Sequence, residues 1–306
     1  MKAIQLKQYG GAEQLSEADV PKPEAKPGLV VVRILAASYN PIDAKLASGH
    51  MRQVFPIEFP FIPGMDFSGS VDALGEGVEG FALGDQVYGY APSGGSYAEF
   101  IATPVDKIAP KPHALSYVEA ASLATVGQTA LQALELAQLK AGQTILIQGA
   151  GGAVGGAATQ LAHHRGARVI AVATAESRER LREYGADEVI DYKATPFESV
   201  AREVDVVLDG VGGDVQQRSF SVLRPGGALI ALTAPPAQEE AAKYHVRAIM
   251  LQTEASAASL EALTAKIDAG EIRPFVGRTY PLSAVARAWE DVRTQHLEGK
   301  IVFTVS

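Results

Sequence analysis

Ile145-Leu146-Ile147-Gln148-Gly149-Ala150-Gly151-Gly152-Ala153-Val154-Gly155-Gly156 is the stretch that decides the fold. A short apolar run, expected as a strand over Thr144–Gln148, passes straight into glycines and then into Ala157–His164, which has helical spacing. Strand, glycines and helix in that order are the context in which a glycine pattern gains meaning. Read as A-x-G-x-x-G, Ala150 makes the tight turn, Gly152 leaves room for a pyrophosphate against the backbone, and Gly155 lets helix and strand pack closely. The helix start then offers free N–H groups and a partial positive charge to phosphates. The expected cradle is Ala150, Gly151, Gly152, Ala153, Val154 and Gly155.

Working outward, strand-like and helix-like segments alternate through the middle of the chain, the mark of a parallel α/β sheet. Strands are expected at Arg168–Ala173, Val204–Asp209, Ala228–Thr233 and Arg247–Gln252, each short and apolar as strands covered on both faces should be. Upstream lies an Ala- and Leu-rich helical stretch from Tyr117 to Gln138, and Pro235–Ala242 reads as a loop leading into a helix. The first third reads as short strands broken by Gly and Pro, with Leu29–Ala36 the strongest β-branched run. After Thr253 come helices near Leu260–Ala269 and Val285–Arg293, the segment Tyr280-Pro281-Leu282, and a last strand at Lys300–Val305. The expected class is α/β, with a β-rich domain from residues 1–115 and 254–306 and a Rossmann doubly wound parallel-sheet domain from residues 116–253.

The bulk properties exclude several functions. At 306 residues, 47% hydrophobic, the chain can bury two sizeable cores. A formal net charge of −8 without a Lys/Arg run argues against nucleic acid and anionic membranes as partners. There is no cysteine, which rules out disulfides and thiolate zinc sites. Neither a long apolar leader nor an apolar stretch of about 18 residues occurs, so a cytoplasmic location is expected.

About 20 residues beyond the glycines, an NAD-binding unit places an acid on the ribose 2′-OH. Here the second strand ends Ala171-Val172-Ala173-Thr174-Ala175, and the groups that follow are Thr174, Ser177 and Arg178, donors suited to a 2′-phosphate. NADPH is the expected cofactor. A loop shifted by two residues would instead present Glu176 as a ribose acid, and Arg178 also reads as an ordinary solvated charge at a helix start. Elsewhere, the histidines are scattered, His163-His164 diverge on their helix, and neither G-x-S-x-G nor H-E-x-x-H occurs, so no metal ligands or hydrolase motifs are assigned.

Further segments carry a family likeness. They are Ala36-Ala37-Ser38-Tyr39-Asn40-Pro41-Ile42-Asp43, Pro63-Gly64-Met65-Asp66-Phe67-Ser68-Gly69-Ser70-Val71, Gly75-Glu76-Gly77-Val78 with Gly84-Asp85-Gln86-Val87, and Val126-Gly127-Gln128-Thr129-Ala130. Gly185-Ala186-Asp187-Glu188-Val189-Ile190-Asp191-Tyr192, Asp209-Gly210-Val211-Gly212-Gly213 and Gly299-Lys300-Ile301-Val302-Phe303 complete the series. In this order the chain resembles the zinc-free NADPH:quinone oxidoreductase branch of the medium-chain dehydrogenase/reductase superfamily. The resemblance implies a GroES-like β-barrel catalytic domain beside the Rossmann domain, an active site in the cleft between them, and a homodimer. It puts Asn40 where zinc-containing relatives carry a first metal ligand and Met65-Asp66 where they carry the second. It implies that Asn40 borders the nicotinamide, that Thr129, Val211 and Gly212 touch the cofactor, and that Ser177, Arg178 and Tyr192 surround the 2′-phosphate. Two residues depart from the pattern: Tyr39, where many members have Leu, and Lys45, where several have an aromatic residue.

The chemistry implied is hydride transfer from NADPH to a quinone or related α,β-unsaturated carbonyl. Such acceptors spread negative charge onto oxygen and need only hydrogen-bond donors. Asn40 is the expected donor, with Tyr39, Lys45 or solvent supplying a proton. Asn40 and Asp43 also read simply as turn residues ahead of Pro41, and Tyr88, Tyr90 and Tyr97 as either cleft or barrel packing. An enone or alkenal double-bond reductase, and a catalytically silent NADPH-binding sensor, are the competing functions.

Overall fold

The computed structural model describes residues 1–295 and 297–306. The chain divides into two compact units: Met1–Thr125 with Ala255–Asp268 and Pro274–Ser306, and Val126–Glu254 with Ala269–Arg273. In chain order the first unit begins with β1 (Lys2–Leu6), β2 (Leu15–Asp19), β3 (Leu29–Ser38), α1 (Pro41–Ala47), β4 (Asp66–Leu74), β5 (Gln86–Tyr90), β6 (Phe100–Pro104) and β7 (Ile108–Pro110). The division falls within α2 (Tyr117–Leu136), where composition placed it at 115/116. Then follow β8 (Thr144–Gln148), α3 (Ala153–His164), β9 (Arg168–Ala173), α4 (Arg178–Glu183), β10 (Glu188–Asp191), β11 (Val204–Asp209), α5 (Gly213–Ser219), β12 (Leu223–Ala231), α6 (Gln238–Lys243) and β13 (Arg247–Met250). The chain ends with α7 (Ala257–Asp268), β14 (Val276–Pro281), α8 (Val285–Thr294) and β15 (Lys300–Thr304).

The second unit holds a six-stranded sheet in the order β10-β9-β8-β11-β12-β13, every neighbouring pair parallel. Numbered within the unit this is 3-2-1-4-5-6, the doubly wound order whose reversal lies between β8 and β11. Ligands of such sheets sit beyond the strands' carboxyl ends at that reversal, which is where the glycines after β8 and the loop after β11 fall. The core strands are mostly buried, and Leu146, Ile170, Val207 and Leu229 pack with Phe220 into one cluster.

The first unit is built on a seven-stranded mixed sheet, β14-β15-β3-β4-β5-β7, with β6 also paired to β3, and a separate β1-β2 hairpin. Its core joins Ile34 and Phe67 to Tyr97, Trp289 and Phe303. Helix α8 reaches that core through Val285, Ala288 and Trp289, spaced i, i+3, i+4 along one face. Tyr88 anchors α7, donating its hydroxyl hydrogen to the Leu260 carbonyl at 2.7 Å.

Several boundaries differ from the sequence reading. Helix α3 starts at Ala153 rather than Ala157, because Gly155 and Gly156 read as helix breakers, yet Gly155 sits inside the helix where a larger residue would not fit. Strand β12 starts at Leu223 rather than Ala228, ahead of a Pro225-Gly226 pair that reads as a turn. Strand β14 gains its parallel partner β15 only in three dimensions.

Candidate active site

At the end of β8 the chain turns at Gly149, whose φ of +73° belongs to the left-handed region. The tight turn assigned to Ala150 is thus made by its predecessor, while Ala150 is buried and its N–H donates to the Val172 carbonyl on β9 at 3.0 Å. A Cβ on Gly155 would lie 2.5 Å from the Gly149 oxygen and 2.6 Å from the Ala150 Cα, so only glycine lets α3 leave the strand at this angle. Gly152 is the N-cap of α3 and offers no capping side chain. The first-turn N–H groups of Ala153, Val154 and Gly155 have no acceptor within the helix. A turn of bare backbone donors at the sheet's reversal fits the diphosphate of a dinucleotide.

Across the reversal, buried Asp209 shapes the loop after β11. Its carboxylate accepts from the backbone of Val211 and Gly212 at 3.0 and 2.9 Å and from Gln216 Nε2 at 2.8 Å. Gly212 adopts φ +81°, and a Cβ there would meet Thr233 Oγ1 at 2.5 Å. Val211 is left half exposed. Thr129 pairs with Thr253, hydroxyl to hydroxyl at 2.9 Å.

At the tip of β9, Thr174 and Ser177 are buried and Tyr192 is exposed, its N–H bonded to the Ala173 carbonyl at 3.2 Å. A Cβ on Gly151 would lie 2.9 Å from Ser177 Oγ, so Ser177 faces the glycine turn while Glu176 is exposed. Arg178 lies elsewhere: its guanidinium donates to the Val189 carbonyl on β10 at 3.2 Å. The guanidinium beside Ser177 belongs to Arg180, which the sequence reading passed over.

In the first unit, Asn40 stands at the N-terminus of α1 within a buried polar cluster. Its backbone N–H donates to Asp43 Oδ2 at 2.8 Å, half of a capping box, with Pro41 at the first helical position. Its side-chain amide has gone elsewhere: Nδ2 donates to Asp66 Oδ2 at 2.9 Å and Oδ1 accepts from Lys300 Nζ at 2.7 Å. Lys300 also donates to the Tyr39 carbonyl and lies 3.8 Å from Asp66, while Ser38 and Thr125 donate to the same carboxylate. Burial lowers the pKa of Lys300, opposed by Asp66 and Asp43. Asp43, fully enclosed, is pushed up to about 7 by burial; its Oδ2 also accepts from Tyr97 Oη at 2.9 Å, and its Oδ1 has no partner among the described residues.

Helix α1 separates two cavities. Ile42 and Leu46, four residues apart, line one of about 630 Å³ with Val54, Phe55, Met65 and Tyr90. Tyr39 and Lys45 line a different one of about 390 Å³ with Trp289 and Arg293. The structure therefore does not bring Tyr39 and Lys45, expected as proton donors, to the apolar cavity. Tyr90 does reach it, donating to Met65 Sδ at 3.2 Å, and burial pushes its hydroxyl up to about 12. Its neighbours in sequence, Tyr88 and Tyr97, are packing residues.

Zinc does not fit these residues. The chain lacks cysteine, and among the described residues no three of His, Asp and Glu gather into a ligand set. The cation beside Asn40 and Asp66 is the Lys300 ammonium.

Two outcomes test the buried cluster. Lys300→Met strands the Asp66 carboxylate and should cost about 3–5 kcal/mol in urea unfolding, part of it recovered when Asp66→Asn is added. Equal losses in single and double variants would contradict the pairing. The raised Asp43 carboxyl favours the folded state below its unfolded value near 4 and loses that contribution as pH rises through about 7. Thermal unfolding should therefore show stability falling between about pH 4 and 7, and Asp43→Asn should flatten that fall.

Comparison with known proteins follows the same lines. Residues 26–113 match the alcohol dehydrogenase GroES-like domain and residues 184–303 the zinc-binding dehydrogenase family. The chloroplast envelope quinone oxidoreductase homolog of Arabidopsis thaliana is 33% identical, covering 99% of this chain and 98% of that protein. The chloroplastic NADPH-dependent alkenal/one oxidoreductase of the same plant is 31% identical over 99% of this chain and 79% of its own. The solved quinone oxidoreductase of Coxiella burnetii superposes with a TM-score of 0.92 at 35% identity, covering 100% of this chain and 99% of that one. With a doubly wound sheet, a glycine turn after β8 and a GroES-like match over residues 26–113, this chain belongs to the quinone oxidoreductase branch of the medium-chain dehydrogenase/reductase superfamily.

Proposed function

We propose that the chain is an NADPH-dependent oxidoreductase that delivers hydride to a quinone or related α,β-unsaturated carbonyl. The observation that carries this reading is the tip of β9, where the Ser177 hydroxyl faces Gly151 and the acidic Glu176 is exposed. A hydroxyl in that place suits a 2′-phosphate, and the relatives named for NADPH and for quinones support the choice. Thr174, Ser177 and Tyr192 are taken to surround the phosphate. The backbone from Ala150 to Gly155 is taken to hold the diphosphate, and Thr129, Val211 and Gly212 the nicotinamide half.

When bound, NADPH supplies the hydride. The chain's own residues have to hold the acceptor, exclude water and stabilise the charge that develops on its oxygen. The apolar cavity beside α1 suits a flat, uncharged ring, with Phe55, Ile42 and Leu46 among its walls. Asn40 is held in one orientation by Lys300 and Asp66, and its Nδ2 carries a second hydrogen beyond the one given to Asp66. Tyr90 stays protonated throughout the physiological range, and its present partner, a thioether sulfur, is a weak acceptor that a substrate oxygen displaces. Two copies pairing along the open sheet edge at β13 complete the proposal.

The chain should consume NADPH only when a quinone or an enone is added, followed by loss of nicotinamide absorbance. Tight NADPH binding with no acceptor-dependent consumption across both classes would overturn the enzymatic reading in favour of a sensor. Tyr90→Phe should lower kcat about 10- to 100-fold while leaving NADPH affinity unchanged. An unaltered kcat would remove Tyr90 from the chemistry.

A further inference from the structure

The cation expected at the 2′-phosphate, Arg178, is turned away to the Val189 carbonyl. Arg180 follows Ser177 by three residues, and positions i and i+3 share a helix face where i and i+1 do not. Its Nη2 donates to Ser177 Oγ at 3.2 Å and to the Gly151 carbonyl at 3.1 Å, joining the tip of β9 to the glycine turn. Its Cζ lies 5.8 Å from the Tyr184 ring centroid, and its Nη1 lies 3.7 Å from the point where a Cβ on Gly156 would stand. Tyr184 flanks the guanidinium from the far end of α4.

We infer that Arg180 is the residue that selects the 2′-phosphorylated cofactor, an inference resting on the NADPH reading above. A guanidinium presents a planar fork of N–H donors that matches two phosphate oxygens at once. Fixed between Gly151 and Ser177, it meets a phosphate on the adenine ribose with its orientation already set. A cofactor ending there in a 2′-hydroxyl meets the same fork without the charge that repays it.

The test is calorimetric titration of the full chain with adenosine 2′,5′-bisphosphate and with AMP, probes that differ only by the 2′-phosphate. Wild-type protein should prefer the bisphosphate. Arg180→Gln, which keeps an N–H donor for Gly151 but removes the charge, should weaken the bisphosphate about 10- to 100-fold and AMP by less than about threefold. Arg180→Lys should restore part of the preference, and Arg178→Gln should leave it at the wild-type level. Equal weakening of both probes by Arg180→Gln would make Arg180 a support for the turn and overturn the inference. Loss of the preference in Arg178→Gln would do the same. A wild-type chain that binds AMP as well as the bisphosphate would overturn the NADPH reading itself, and the inference with it. If Arg180→Gln does not fold, an unchanged preference in Arg180→Met or a full one in a folded Arg180→Ala overturns it, and a lost one upholds it.

Discussion

The second unit depends on one close approach of backbone to backbone. At Gly155 helix α3 comes so near the Gly149 carbonyl and the Ala150 Cα that no side chain fits, and this contact fixes where the helix starts. Because Gly152 caps that start with no side chain, the first-turn amides face outward as donors rather than being satisfied internally. The parallel order of the sheet then places those donors at the reversal between β8 and β11, opposite a loop held by buried Asp209. Turn, helix and topology thus converge on the same few residues.

The first unit is organised by a buried charge. Lys300 enters on the last strand and is neutralised by Asp66 from β4, with Asn40 and the Tyr39 carbonyl completing its hydrogen bonds. Isolated, either charge would be costly in the interior; together they lock three distant segments of the chain into one register. The orientation of the Asn40 amide follows from that lock, since one end must accept from an ammonium and the other must donate to a carboxylate. A residue that reads as a helix cap in sequence is held by contacts made from the far end of the chain.

The sheet of the second unit was legible in the sequence because β8, β9 and β11 are short segments dominated by apolar residues, and such segments hardly depend on context. The glycine pattern was legible for a related reason, although the turn belongs to Gly149, since alanine at the next position masks which residue takes the positive φ. Strand β10 and helix α4 were not delimited. β10 has four residues with acids at both ends, and α4 buries only Leu181 in a run of charges. The same charge-rich stretch concealed Arg180, and only the i, i+3 relation to Ser177 would have found it. Tyr39 and Lys45 went astray because spacing along α1 does not tell which of its two faces looks into which cavity.

A fluorescence titration of the intact chain with NADPH addresses the central claim most directly. The geometry at Gly149–Gly155 calls for saturable binding of one nucleotide per chain, abolished when Gly155→Val pushes α3 away from the turn while the protein remains folded by circular dichroism. Absence of any association at millimolar nucleotide, or binding untouched by that substitution, would contradict the account.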